Sequence, residues 1–229
     1  MRNVRGVAGI GITAAAVLAL AACSSNDTAS SGSSSSAPAP ASSSAASSSA
    51  AAPSGDGVTT NADVFGPACN LLPKGSDKGS LDSMGPLPVA SAAASNPLLT
   101  KLVAAVMATK LVDPLNSAEK ITVFAPADAA FQPLVDSGDF AKLAADPAKL
   151  APILKYHVAD KRYDVAGLLA AKSLSNLDST DGGGNLKIGG TSKDDITVDG
   201  AKVLCGNIPT KNATVFVIDK VLTPGTNKN

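Results

Sequence analysis

The chain has no tryptophan, five phenylalanines, two tyrosines, one histidine and three cysteines among 229 residues. So few rings exclude an aromatic ligand cage or a base-stacking platform. Nineteen Lys and Arg balance nineteen Asp and Glu, which removes the basic surface that nucleic acid requires. A single imidazole and three thiols leave little for a zinc centre or a histidine-based catalytic centre. At roughly 150 residues per domain, the length admits one substantial domain with short appendages.

What the chain does have begins with an export pattern. Arg2 and Arg5 precede an uncharged run over residues 6–22, the basic and apolar regions of a signal peptide. The run is rich in Gly and Ala and falls short of the about 20 strongly apolar residues of a membrane span. Leu20-Ala21-Ala22-Cys23 resembles the bacterial lipobox. Its small side chains suit a protease cleft, and the Cys23 thiol is the nucleophile for thioether attachment of a lipid. Processing after Ala22 removes both arginines and leaves 17 basic against 19 acidic side chains, a balance of −2. At about 0.8 kcal/mol per buried lipid CH₂, two or more acyl chains give durable anchoring. The expectation is a signal peptide over 1–22 and a membrane partner reached through covalent lipid. The chain would then sit on the outer face of the bacterial cytoplasmic membrane, exposed to cell wall or exterior.

Over residues 24–55, 15 are Ser and 9 are Ala. Nothing in that stretch can build a core, so residues 23–58 read as a lipidated cysteine and a disordered tether. Its random-coil reach is about 30 Å, and roughly 100 Å at full extension. Asn26-Asp27-Thr28 and Asn212-Ala213-Thr214 match the N-glycosylation triplet, which a bacterial lipobox makes coincidental. Large apolar residues return at Val64-Phe65 and persist to Leu222. A single domain is therefore expected over 59–224, with a loose tail at 225–229. Cys69 and Cys205 remain as an even pair. An oxidising exterior favours a disulfide, with two buried free thiols as the alternative. A bond closing so long a loop contributes about 5 kcal/mol on a chain-entropy estimate.

Asn96-Pro97 combines a cap with an N1 proline. Leu98, Leu99, Leu102, Val103, Val106 and Met107 follow at helical spacing, predicting a helix packed on a sheet. Residues 121–124 read as a strand broken by Ala125-Pro126, after which Asp128 caps a short turn over 129–131. Asp146-Pro147 repeats the cap-plus-proline signature, with Leu150, Ile153, Leu154 and His157 on one side; Pro152 predicts a bend or a later start. A turn of helix over 165–169 and strands over 186–188, 196–198, 201–204 and 213–221 complete the pattern. Asp199-Gly200 predicts a type I′ hairpin between two of these strands. Gly182-Gly183-Gly184-Asn185 is another turn and lacks the Lys-Ser/Thr of a phosphate loop. Helices beside mainly non-parallel strands make an α+β domain.

Three ordered motifs resemble those of fasciclin-like domains. They are Thr122-Val123-Phe124-Ala125-Pro126-Ala127-Asp128-Ala129-Ala130-Phe131, then Tyr156-His157 behind Ile153-Leu154-Lys155, and Thr214-Val215-Phe216-Val217-Ile218-Asp219-Lys220-Val221-Leu222. The resemblance covers nearly all of residues 83–224. It is nearest to the mycobacterial secreted and cell-surface immunogenic fasciclin lipoproteins, through Phe65-Gly66-Pro67-Ala68-Cys69, Cys205-Gly206 and Asn212-Ala213-Thr214-Val215. It implies a wedge-shaped, β-sandwich-like sheet with helices packed against it, and a Cys69–Cys205 disulfide. Structural roles are implied for Phe124, Pro126, Asp128, Phe131, Tyr156, His157, Ile218, Asp219 and Leu222. The implied function is adhesion or host and matrix interaction, without a common catalytic activity. Val215-Phe216-Val217 stands where the family's closing motif often carries a His, so no mechanism based on that histidine is implied.

The residues themselves point the same way. A catalytic His157 would need a nucleophile and an orienting carboxylate, and no Gly-x-Ser-x-Gly motif is present. A packed His157 with its ring N–H on backbone is expected instead, and no enzyme activity. Asp194, Asp195 and Asp199 lack the alternating ligands of a calcium loop, so a solvated turn is expected, with no metal or cofactor. Lys155, Tyr156, Lys161, Arg162 and Tyr163 form the candidate patch for a protein, glycan or matrix partner. The competing reading is a cell-envelope carrier or sensor for an apolar ligand such as a cell-wall lipid. It requires a continuous apolar cleft between the helix over 98–107 and the sheet. In either case the domain is expected to be a monomer.

Overall fold

The computed structural model describes residues 56–179 and 184–225. The signal segment, Cys23, the tether to residue 55, Gly182-Gly183 and residues 226–229 lie outside the described residues. In chain order, α1 (Leu81–Met84), α2 (Val89–Ser95), α3 (Thr100–Ala108) and α4 (Val112–Ser117) precede β1 (Ile121–Pro126). A 3₁₀ turn at Asp128–Phe131 leads into α5 (Gln132–Asp136), α6 (Asp139–Ala144) and α7 (Pro147–Tyr156). Then come β2 (Val158–Ala159), α8 (Val165–Ala171), β3 (Ser173–Leu174), β4 (Leu186–Gly189), β5 (Thr197–Val198), β6 (Ala201–Pro209) and β7 (Ala213–Ile218). The sheet order is β2-β1-β7-β6-β5-β4-β3. Within this α+β architecture β1 and β7 run parallel, and the other pairings are antiparallel.

Every residue of β1 and β7 is buried. Near-continuous apolar runs are what a strand covered on both faces requires. The two strands carry the same tripeptide, Thr122-Val123-Phe124 and Thr214-Val215-Phe216, and pair in register through it. Side chains alternate along a strand. Ile121, Val123 and Ala125 therefore join Ala213, Val215 and Val217 in one core beneath α1–α4 and α7. Phe124, Phe216 and Ile218 enter a second core with Leu168 of α8, Leu186 and Ile188 of β4, and Val198 of β5. Since β4 and β5 share that core with the central strands, the far end of the sheet curls over it in a sandwich-like manner. Register shifts around Cys205 in β6 supply the bend.

The hairpin between β5 and β6 has Asp199 at φ 50° and Gly200 at φ 76°, with Val198 paired to Ala201; both left-handed residues fit the type I′ geometry. The N-terminal segment is fastened to β6 at two adjacent points. Phe65 forms a bridge with Gly206, and a Cβ on Gly206 would stand 2.5 Å from the Phe65 ring. Cys69 is bonded to Cys205, with Cα atoms 5.0 Å apart across a sequence separation of 136.

Several elements differ from expectation for local reasons. α3 starts at Thr100, not Pro97, because the Asn96 Oδ1 accepts the Leu98 N–H at 2.9 Å and holds a separate turn. Its buried residues are Leu102 and Ala105, with Leu99 buried just before its start, while Met107 is 59% exposed. β1 does not break at Ala125-Pro126; Pro126 closes the strand opposite Ile218. α7 runs unbroken through Pro152. β6 extends to Pro209 and β7 stops at Ile218, where the Asp219 carboxylate turns back to the Lys202 N–H at 2.8 Å.

Non-reducing peptide mapping should recover one linked peptide pair containing Cys69 and Cys205, and two free thiols in freshly exported protein would contradict the structure. The Cys69→Ala/Cys205→Ala double variant should lose up to about 5 kcal/mol of unfolding free energy in urea melts.

Candidate functional site

The three family-like motifs meet at the end of α7. Asp146 caps this helix by accepting the Lys149 N–H at 3.3 Å, and Pro147 occupies its first turn. That phase buries Leu150 and Leu154 and delivers Tyr156 and His157 into the interior. His157 is then fixed on three sides. Its Nε2 accepts the Leu222 N–H at 2.9 Å, so the proton must sit on Nδ1, which donates to the Ile153 carbonyl at 2.7 Å. Its own carbonyl accepts the Phe124 N–H at 2.8 Å. One residue thus ties α7, β1 and the segment after β7 together. Burial pushes the imidazole down to about 4 from 6.5, opposed in part by the bond to Ile153.

Tyr156 is fully buried, and its hydroxyl donates to Asp199 Oδ2 at 2.8 Å. The other Asp199 oxygen accepts the Lys187 N–H at 2.8 Å, joining the β5–β6 hairpin to α7 and β4. Asp128 does not cap its own turn. Its carboxylate accepts the Thr100 hydroxyl and the Lys101 N–H, and so caps α3 from across the fold. Phe131 packs edge-on against Phe140 at 5.5 Å, and Phe124 lies 5.8 Å from Phe216.

Two cavities flank this junction. The larger, about 600 Å³, lies beneath α5, α6 and α7 and is walled by Phe131, Phe140, Leu143, Leu150, Leu154 and Val221, among others. The smaller, about 130 Å³, lies between α2–α4 and β1. Leu102, Leu154 and His157 line both.

A fasciclin-domain family model matches residues 97–224, the span that contains this junction. The chain belongs to the fasciclin family. Cell surface glycolipoprotein MPB83 of Mycobacterium bovis is 36% identical to it over 179 residues, covering 72% of this chain and 77% of that protein. Immunogenic protein MPB70 of M. bovis is 36% identical over 172 residues, covering 71% and 83%. A solved FAS1 domain pair from the insect cell adhesion molecule Fasciclin I aligns with 55% of this chain and 45% of that one, at TM-score 0.44 and 23% identity.

Within the fasciclin domain the expected basic patch does not assemble. Tyr156 is interior, and Arg162 spends its guanidinium on the Thr210 carbonyl at 3.1 Å and Thr214 Oγ1 at 3.0 Å. Lys155 and Tyr163 are half-buried, which leaves Lys161 alone as an exposed member. The expected cleft between α3 and the sheet amounts to the smaller cavity, and the larger one lies elsewhere. Asp195 closes a loop by accepting from Ser192 and Thr191. The hydrogen bonds from the Ser192 hydroxyl and backbone, then from Thr191, hold its carboxyl at about 2. Among the described residues no group of three or more His, Cys, Asp and Glu is arranged to hold a metal. No helix among them is long and apolar enough to cross a membrane.

Sequence reasoning missed three polar anchors. Thr122 Oγ1 donates to the Lys161 carbonyl and accepts the Tyr163 N–H, each at 2.8 Å. Beside it, Thr214 Oγ1 donates to the Gly57 carbonyl at 2.8 Å. Asn212 accepts the Val89 N–H at 2.9 Å and donates to the carbonyls of Leu115 and Ala118. Both ends of its amide are therefore in use, which is incompatible with a glycan there. The repeated Thr-Val-Phe tripeptide is the signal that identifies the paired threonines.

His157 makes a definite contribution to pH dependence. Its folded value of about 4 lies below the unfolded 6.5, so between these values the unfolded chain binds a proton that the folded chain does not. Stability should therefore fall as pH drops from 6.5 to 4, by about 3 kcal/mol. The chain has one histidine, so His157→Gln should flatten that slope in urea melts taken across the window. An unchanged slope would contradict the assignment.

Proposed function

We propose that this fasciclin-domain protein is exported, held at the cell surface by a lipid on Cys23, and acts in adhesion or in host and matrix contact by binding and not by catalysis. The observation that carries this reading is the use made of the only imidazole: both ring nitrogens of His157 are engaged by backbone groups. Neither nitrogen is left to take a proton from a nucleophile. The buried tyrosine and the motif aspartates are likewise spent on holding elements in place. Relationship to a cell surface glycolipoprotein over 72% of the chain supports surface location. Leu20-Ala21-Ala22-Cys23 supports anchoring through sulfur.

Fractionation of cells expressing the full chain should recover it in membranes, with mass spectrometry showing acylated Cys23 as the new N-terminus. Cys23→Ser should release the protein or stall its processing. Unchanged membrane retention of that variant would defeat the anchor assignment. Crosslinking on intact cells should capture surface proteins or glycans on the folded domain.

A further inference from the structure

The larger cavity has the features of a ligand site. Its volume of about 600 Å³ falls within the roughly 300–1,000 Å³ usual for small-ligand pockets. If a methylene takes the ~30 Å³ share of one liquid water, the space suits on the order of twenty carbons. The roof is built from two short helices, α5 and α6, with Gly138 between them in a left-handed conformation at φ 74°. They pack on the 3₁₀ turn, on one another and on α7, and Leu134, Phe140 and Leu143 reach the core that holds the central strands.

The charges on the walls discriminate between occupants. Asp139 and Lys142 close on each other at 3.0 Å, and the Lys142 hydrogen bond holds the Asp139 carboxyl below its ordinary range. Asp219 is taken by the Lys202 N–H. Lys220 is exposed, and its ammonium donates to the neutral Gly200 carbonyl at 3.3 Å. Among the described wall residues it is the cation with a carbonyl, and no carboxylate, as its described partner. An apolar interior with an exposed lysine on its rim, its ammonium bound only to a neutral carbonyl, complements a single hydrocarbon chain with an anionic head.

We propose that the cavity beneath α5, α6 and α7 binds a long-chain fatty acid, its tail among Phe131, Phe140, Leu143, Leu150 and Leu154 and its carboxylate toward Lys220. The site is independent of the Cys23 lipid, and its test is separate from the fractionation experiment.

The test uses the full chain in membranes and a palmitate analogue bearing a photoactivatable diazirine on its tail. After irradiation, peptide mass spectrometry should place adducts on the 131–154 and 219–223 peptides. Palmitate should suppress them about tenfold better than hexadecanol of the same length. Leu143→Trp, which fills the cavity, should abolish labelling at an unchanged melting temperature. Lys220→Met, at an exposed position, should retain labelling but lose the preference for acid over alcohol. Adducts scattered over other surfaces, or equal competition by hexadecanol in the unaltered protein, would overturn the proposal. If Leu143→Trp fails to fold, Lys220→Met decides: retention of the full acid preference in that variant overturns the assignment of the head group.

Discussion

The β1–β7 pair is buried on both faces, and the rest of the domain is arranged to cover it. Two parallel strands with no solvent-facing side require two separate apolar layers. Helices α1–α4 and α7 supply one, and the curled far end of the sheet with α8 supplies the other. The repeated Thr-Val-Phe tripeptide serves both layers at once: valines face the helices, phenylalanines face the curled strands, and the threonine hydroxyls bind backbone of the loops and N-terminal segment.

Because the covering elements come from distant parts of the chain, they need attachment points, and polar side chains provide them. Asp128 caps α3, Asn212 joins α2 and α4, Asp199 receives Tyr156, and His157 receives Leu222. These bonds run largely to backbone groups whose burial without a partner would be costly. Ion pairing adds little by comparison. The two salt bridges among the described residues are exposed pairs three positions apart, and solvent screening leaves such pairs little to contribute. The Tyr, His and Asp side chains of the family motifs are thereby spent on holding distant elements together.

Much of this was legible in the residue order. Short apolar stretches between turn residues marked β1 and β4–β7, Asp199-Gly200 marked the hairpin, and a capped proline marked α7. What escaped was short or non-local. β2 and β3 are two residues each and have no room for a periodic pattern. α2 is largely Ala and Ser, and α4–α6 have five or six residues each, too few for a helical stripe to stand out. Asp128 looked like a local cap because its partners at 100 and 101 are distant in sequence and near only after folding. Tyr156 looked like part of a surface because Lys155, Lys161 and Arg162 flank it, whereas the phase of α7 turns it inward. The larger cavity was invisible for the same reason, since its walls come from three separate segments.

The roof over that cavity and the central strands should differ sharply in stability, as local packing and doubly covered packing do. Native-state hydrogen exchange resolved by residue measures this directly. The amides of β1 and β7 should exchange only through global unfolding, while those of α5 and α6 should open at markedly lower free energy. Exchange from β1 and β7 at or below the free energy of α5 and α6 would contradict the central role of the parallel pair.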